Sequence, residues 1–270
     1  MTRVALSWEA RGEPAAPAVI FVHSLGADRS MWQSLATSLA ASHRVVTLDL
    51  RGHGASPAPP GPYSLDELAD DVLGVADAAG LSRFHLCGIS LGGLVGLFLA
   101  ARHPERVESL VAANTAAKIG TAAHWSERCR AVRDLGMAGV ADAVMGRWFA
   151  PGFIEREPAT FADLRRIFAG TSAGGYTACC EAIASADLTS ELSRIVAPTL
   201  VVAGELDASI PVASARALAE GIAGSELVAF PGVAHLSNLE AKARFAGVVH
   251  DFLIAFTSRH GPNSRGRDPR

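Results

Sequence analysis

The sequence predicts an α/β fold: a mostly parallel central sheet, helices on both of its faces, and one long helical insertion. Three observations lead there. Short apolar or β-branched runs alternate with longer Ala/Leu-rich stretches, the rhythm of βα units. The short runs are apolar throughout instead of alternating with polar residues, as suits strands buried on both faces. Between about Asn114 and Val196 the alternation stops, and apolar residues recur at spacings of three and four.

In chain order, residues 19–22 form the first expected strand. A Gly-containing turn follows, then a helix at about 31–40 and a strand at 44–50. A Gly/Pro-rich loop, 51–62, leads to a helix at 64–79, where Ser64 and Glu67 have the spacing of a capping box: hydroxyl and carboxylate satisfy amide donors that a helix start leaves open. Further strands are expected at 83–87, 107–113, 198–203 and 226–230. This places an α/β core in residues 1–114 and 197–257 and a helical cap in 115–196, with internal turns at Gly120, Pro151 and Gly174-Gly175. Such an insertion reaches over the C-terminal ends of the strands, where sheets of this kind bind ligands. Residues 258–270 are polar, carry Gly and Pro and have no apolar period, so a disordered tail is expected there.

The 270 residues are 49% hydrophobic and 19% charged, with a net charge of −3. That supplies a full core, argues against disorder, and excludes the large basic face of a nucleic-acid binder. Cys87, Cys129, Cys179 and Cys180 have neither C-x-x-C nor metal-ligand spacing, and are read as free thiols in a reducing compartment. The N-terminal MTRVALSWEA lacks the apolar stretch of a signal peptide, and the longest apolar run, 91–101, is about half of a membrane span. A cytoplasmic protein with no membrane partner is expected. No dinucleotide fingerprint, phosphate loop or metal-spaced His cluster is visible, so no cofactor and no metal are expected. The oligomeric state is not readable from the sequence.

The strongest chemical signal is Gly88-Ile89-Ser90-Leu91-Gly92, a G-x-S-x-G directly after a strand and directly before a helix. In that context the turn is sharp, the serine hydroxyl stands above the sheet, and the Leu91 amide at the helix start faces the place where an oxyanion would form. The plain alternative is a Gly-rich βα turn with an inert serine. A serine hydroxyl needs a base, and the base needs an orienting carboxylate. Of the nine histidines, His235 follows the last expected strand and is the candidate base. The strand at 198–203 runs on through Gly204-Glu205-Leu206-Asp207; Asp207 reaches further beyond the strand end and is preferred over Glu205 as the acid. After the first strand, His23-Ser24-Leu25-Gly26 offers the Leu25 amide as a second oxyanion donor. Arg51-Gly-His-Gly54, after Asp49, is read as a tight structural turn with Arg51 paired to a carboxylate.

In these motifs and their order the core resembles the α/β-hydrolase superfamily. It is more closely similar to the 3-oxoadipate enol-lactone hydrolases, through Ser24-Leu-Gly26, Met31-Trp32, Gly61-Pro-Tyr63, Ala113-Asn-Thr-Ala-Ala117-Lys-Ile-Gly120, Arg147-Trp-Phe149, Cys180-Glu-Ala-Ile183 and Ala186-Asp-Leu188. The match runs to about Phe256. The superfamily usually carries Gly where Ser24 stands; the Ser-Leu-Gly form is that of the subgroup. The resemblance implies a small lactone bearing a carboxylate as substrate, opened to 3-oxoadipate in aromatic catabolism. A cap facing such an anion should be basic, and Lys118, Arg128, Arg130 and Arg133 outnumber Glu127 in that stretch, with Arg128 and Arg133 as the candidate carboxylate readers. Trp125 and Trp148 are candidate walls of the pocket. A serine at position 90 argues against the relatives that attack with a carboxylate.

Overall fold

The computed structural model describes residues 3–260. Seven strands form one sheet: β1 (Trp8–Arg11), β2 (Ala18–Val22), β3 (Arg44–Leu48), β4 (Phe84–Ile89), β5 (Val107–Ala113), β6 (Thr199–Gly204) and β7 (Glu226–Phe230). Their spatial order is β1-β3-β2-β4-β5-β6-β7; every neighbouring pair is parallel except β1 with β3. β2 and β4 are buried along their whole length, which is why their sequences are apolar without alternation. β1 was not legible. It has four residues, pairs on one edge only, and carries partly exposed ends and exposed middle residues, so it has no apolar run to read.

The helices are α1 (Gln33–Leu39), α2 (Leu65–Ala78), α3 (Leu91–Arg102), α4 (Ala122–Met145), α5 (Phe153–Arg156), α6 (Pro158–Gly170), α7 (Ala173–Ser185), α8 (Val212–Gly221), α9 (Ser237–Glu240) and α10 (Lys242–His260). Ser64 caps α2 in the expected reciprocal box with Glu67. α3 is buried from Leu91 to Ala101, and its glycines let it lie close against β4 and β5: a Cβ at Gly96 would press into Leu86 and Leu110.

Between β5 and β6 the chain forms α4 to α7 and a short 3-10 turn, Thr189–Arg194. One expectation about this stretch needs correction. Gly174 and Gly175 do not make a turn but lie in the first turn of α7. The reason for Gly175 is tertiary: a Cβ there would collide with the backbone of Gly52, and the reverse holds for Gly52. α4 is broken at Gly136, whose φ of 70° is left-handed backbone that glycine adopts without strain. At the C-terminus, residues 258–260 continue α10 instead of starting a tail; 261–270 lie outside the described residues. Among the described residues no helix is long and apolar enough to cross a membrane, and Cys87, Cys129, Cys179 and Cys180 are buried and free.

Candidate active site

Ser90 stands between the last residue of β4 and the first of α3, with φ 55° and ψ −116°. A non-glycine residue in that region costs on the order of 1–2 kcal/mol, so the surroundings must enforce it. They do so through close backbone packing. A Cβ at Gly88 would run into the Gly92 carbonyl, and a Cβ at Gly92 into the Val22 carbonyl. The Ser90 amide donates to the Ala113 carbonyl at 2.9 Å, and Thr115 Oγ1 donates to the Ser90 carbonyl at 2.9 Å. The strained turn therefore lifts the Ser90 side chain to a cavity at the sheet's C-terminal edge.

His235 and Asp207 meet across two loops. His235 Nδ1 donates to Asp207 Oδ2 at 2.8 Å, while Asp207 Oδ1 accepts from the Ser209 and Ile210 amides, each at 2.8 Å. Burial alone would raise the Asp207 carboxyl. The neighbouring His235 charge, its hydrogen bond and the donors from Ile210 and Asn114 overcome this and hold Asp207 below the usual carboxylate range. An ionised, acceptor-only Asp207 keeps the proton on Nδ1 and leaves Nε2 as the basic nitrogen. The competitor Glu205 is exposed.

Sequence reasoning missed Asn114. It leaves β5 with φ 44° and is buried; its Nδ2 donates to Asp207 Oδ2 at 3.0 Å and to the Ala234 carbonyl at 3.1 Å, and its Oδ1 accepts from Ser237 Oγ at 2.5 Å. One amide thus joins the loop of Asp207 to the loop of His235. Its place at a strand's C-terminal end was the available signal. The Trp148 carbonyl adds a second tie, accepting from the His235 and Leu236 amides, each at 3.0 Å.

The loop carrying Leu25 is stitched to the loop after β3 by two buried histidines. His23 accepts from the Leu50 amide at Nε2 (2.9 Å) and donates from Nδ1 to the Ser24 carbonyl (2.7 Å). His53 accepts from the Gly26 amide at Nε2 (3.0 Å) and donates from Nδ1 to the Arg51 carbonyl (3.2 Å). Both roles need neutral rings. Burial lowers His23 to about 4 and, together with the nearby His23, lowers His53 to about 3. Arg51 itself pairs with Asp71 at 2.6 Å, as expected of a structural turn.

Ser90, His235 and Leu25 line a small cavity of about 70 Å³ with Trp125, Arg128 and Trp148 from the inserted helices. Trp125 Nε1 donates to the Ile119 carbonyl at 2.6 Å. Arg128 Nη1 donates to Tyr176 Oη at 3.1 Å, and burial raises that phenol, so it stays neutral and leaves the Arg128 charge in place. His124, also in the wall, is lowered by burial and then by Arg128 and Arg147. Arg133 is a correction: it is exposed and does not line the cavity. Residues three apart on α4, Trp125 and Arg128, share a face; five residues on, Arg133 has turned away. Arg130 is likewise exposed, and Lys118 is spent on a surface pair with Asp187 at 3.0 Å. The cavity's other arginine is Arg147, which the sequence reading left without a role in the site.

Residues 17–144 match the model of the alpha/beta hydrolase fold family. The chain is 42% identical to 3-oxoadipate enol-lactonase 2 of Acinetobacter baylyi over 94% of each chain, and 35% identical to 3-oxoadipate enol-lactonase 1 of the same organism over 92% of each. Among solved structures, the enol-lactonase from Burkholderia xenovorans LB400 superposes with a TM-score of 0.90 at 42% identity, covering 92% of this chain and 96% of that one.

Proposed function

The chain belongs to the α/β-hydrolase superfamily, within its 3-oxoadipate enol-lactonases, and we propose that it hydrolyses 3-oxoadipate enol-lactone to 3-oxoadipate, a step of aromatic catabolism, without a cofactor. The observation that carries this reading is one small cavity lined by Ser90, by His235 with its bond to Asp207 behind it, and by Arg128. In it, residues 115–196 act as a cap that closes over the strand ends.

Ser90 Oγ attacks the lactone carbonyl while His235 Nε2 takes its proton, and Asp207 steadies the imidazolium that forms. The amides of Leu25 and Leu91 receive the oxyanion; the latter is one of the donors that the first turn of a helix leaves unpaired. Collapse of the tetrahedral intermediate breaks the ring ester bond while the His235 imidazolium gives its proton to the leaving ring oxygen, and the enol so formed returns to the ketone, which makes ring opening hard to reverse. The acid arm remains on Ser90 as an ester. His235, neutral again, then draws a proton from water, which attacks that ester; on collapse the proton passes from His235 to Ser90 Oγ and the acid is released. Arg128 reads the carboxylate that the lactone carries, between the walls of Trp125 and Trp148.

The test is a steady-state assay on the enol-lactone beside a neutral p-nitrophenyl ester. Ser90→Ala should lose several powers of ten on both substrates. Arg128→Ala should lose about ten- to a hundred-fold in kcat/KM on the lactone, the worth of a charge-assisted hydrogen bond, and little on the neutral ester. Equal loss on both would make Arg128 a support of the fold; a wild type that ignores the lactone but turns over the ester would make the protein a general esterase.

A further inference from the structure

A second hollow lies against the outer side of the cavity wall. It has a volume of about 350 Å³ and is mostly apolar, with Met145, Phe149, Ile154 and Leu206 in its lining. Ile154 is 46% and Leu206 49% exposed, two of the few large apolar side chains left to solvent among the described residues. An exposed apolar hollow beside a reaction cavity has the character of a ligand groove. The two spaces interleave along the chain. Val144 and Trp148 border the inner space while Met145 and Phe149 border the outer one; Ser209 and Ile210 border the inner space while Leu206 and Ala208 border the outer one. Arg147 lines both spaces. Its Nη2 donates to the Ala208 carbonyl at 2.6 Å and so joins the two chain segments that make the wall.

We propose that Arg147 is a gate: its bond to Ala208 closes the reaction cavity against the outer hollow, and the hollow is a subsite for an apolar chain extending from the substrate's acyl group. Closed, the wall leaves a cavity with room for on the order of five waters, and the enzyme is confined to small acyl groups. Opened, the cavity continues into a space several times larger. Arg147 is a good latch for such a wall. Its side chain is exposed, so swinging it into water costs little, and the carbonyl it leaves is on an exposed residue that water can reach.

The inference rests on the proposed Ser90 chemistry only for its kinetic arm, and the experiment separates the two. Acetate and octanoate esters of p-nitrophenol, both neutral, are compared in wild type, Arg147→Ala and Arg147→Ala/Ile154→Trp. Each newly buried methylene is worth about fourfold in binding, so seating two or more should raise the octanoate-to-acetate ratio of kcat/KM at least about tenfold in Arg147→Ala. The indole introduced by Ile154→Trp should fill the hollow and return the ratio to near its wild-type value. A parallel arm needs no turnover: binding of both esters to Ser90→Ala and to Ser90→Ala/Arg147→Ala, read by quenching of tryptophan fluorescence, should show the same change of preference. If the alanine variant fails to fold, Arg147→Gln, too short to reach Ala208, takes its place. A ratio within twofold of wild type in the binding arm overturns the gate, and so does an equal loss on both esters. Hydrolysis that survives Ser90→Ala overturns the Ser90 reading instead and leaves the binding arm to decide the gate.

Discussion

At Asn114 the backbone turns out of β5 in the left-handed region, and one side-chain amide serves three partners: Asp207, the Ala234 carbonyl and Ser237. The same Asp207 oxygen receives both Asn114 Nδ2 and His235 Nδ1, so losing the amide leaves the imidazole as the one side-chain donor to that oxygen and loosens the carboxylate that orients it. Asn114→Gly tests this cleanly, because glycine accepts the φ of 44° without strain and only the side chain is lost. We expect kcat to fall about ten- to a hundred-fold with KM nearly unchanged, the worth of a hydrogen bond to a charged group. Steady-state kinetics on any hydrolysed ester decides it; a change in KM alone would move Asn114 from positioning to binding. Ser90 and Gly88 make a different residue-scale point: the glycine spacing of the turn is local and was legible, because a Cβ at Gly88 would meet the Gly92 carbonyl, while the strained backbone of Ser90 is held by Ala113 and Thr115 from β5 and the residues after it.

Among elements, the contact between α7 and the loop after β3 shows why two adjacent glycines differ. Gly175 lies against the Gly52 backbone, whereas the closest atom to a Cβ on Gly174 is Ser172 Oγ at 4.0 Å. Gly175→Ala should therefore destabilise the protein by about 1–3 kcal/mol, as overpacking does when backbone must move. Gly174→Ala should be neutral or gain about 0.5–1 kcal/mol from helix propensity. Thermal melts of the two variants measure the contrast, and equal melting temperatures would remove the tertiary explanation. The junction after α4 is tied to the loop of His235 in a similar way. The Glu240 carboxylate accepts from the Ala150 amide at 3.0 Å and from the Ala234 amide at 2.7 Å, so one side chain ties both segments. Helix period explains why Arg128 and not Arg133 reaches the cavity, a distinction that a count of basic residues could not make.

For the whole molecule, buried neutral histidines set a pH limit. Burial lowers His23 to about 4; burial and then His23 lower His53 to about 3; burial and then His43 lower His85 to about 4. In the unfolded chain each titrates near 6.5, so between these values the unfolded state holds more protons than the folded one. Stability is then complete above about pH 6.5, falls as pH drops, and stops falling from this source once the folded values are reached. At about 1.4 kcal/mol per unit, even one such displacement is a sizeable share of the roughly 5–15 kcal/mol that holds a domain folded. Urea midpoints should decline steadily from pH 7 to pH 4.5, with the slope shallower in His53→Gln, which keeps an acceptor for the Gly26 amide but does not titrate. A midpoint independent of pH over that range would contradict the neutral stitches between the Leu25 loop and the loop after β3.

What the sequence determined by itself is what forces within a few residues decide: the order of strands and helices, the Ser64–Glu67 cap, the glycine spacing around Ser90, and the placing of Asp207 and His235 just past strand ends. Each follows from local sterics, apolar period or capping, which the chain carries wherever it folds. The tertiary structure decided which distant groups meet. Asn114 finds Asp207 93 residues and Ala234 120 residues along the chain, Gly52 finds Gly175, β1 adds to the edge of β3, and Arg147 finds Ala208. No periodicity encodes such pairs, because each depends on how two elements, correct in themselves, are set against each other by the packing of the sheet and the helices inserted between β5 and β6.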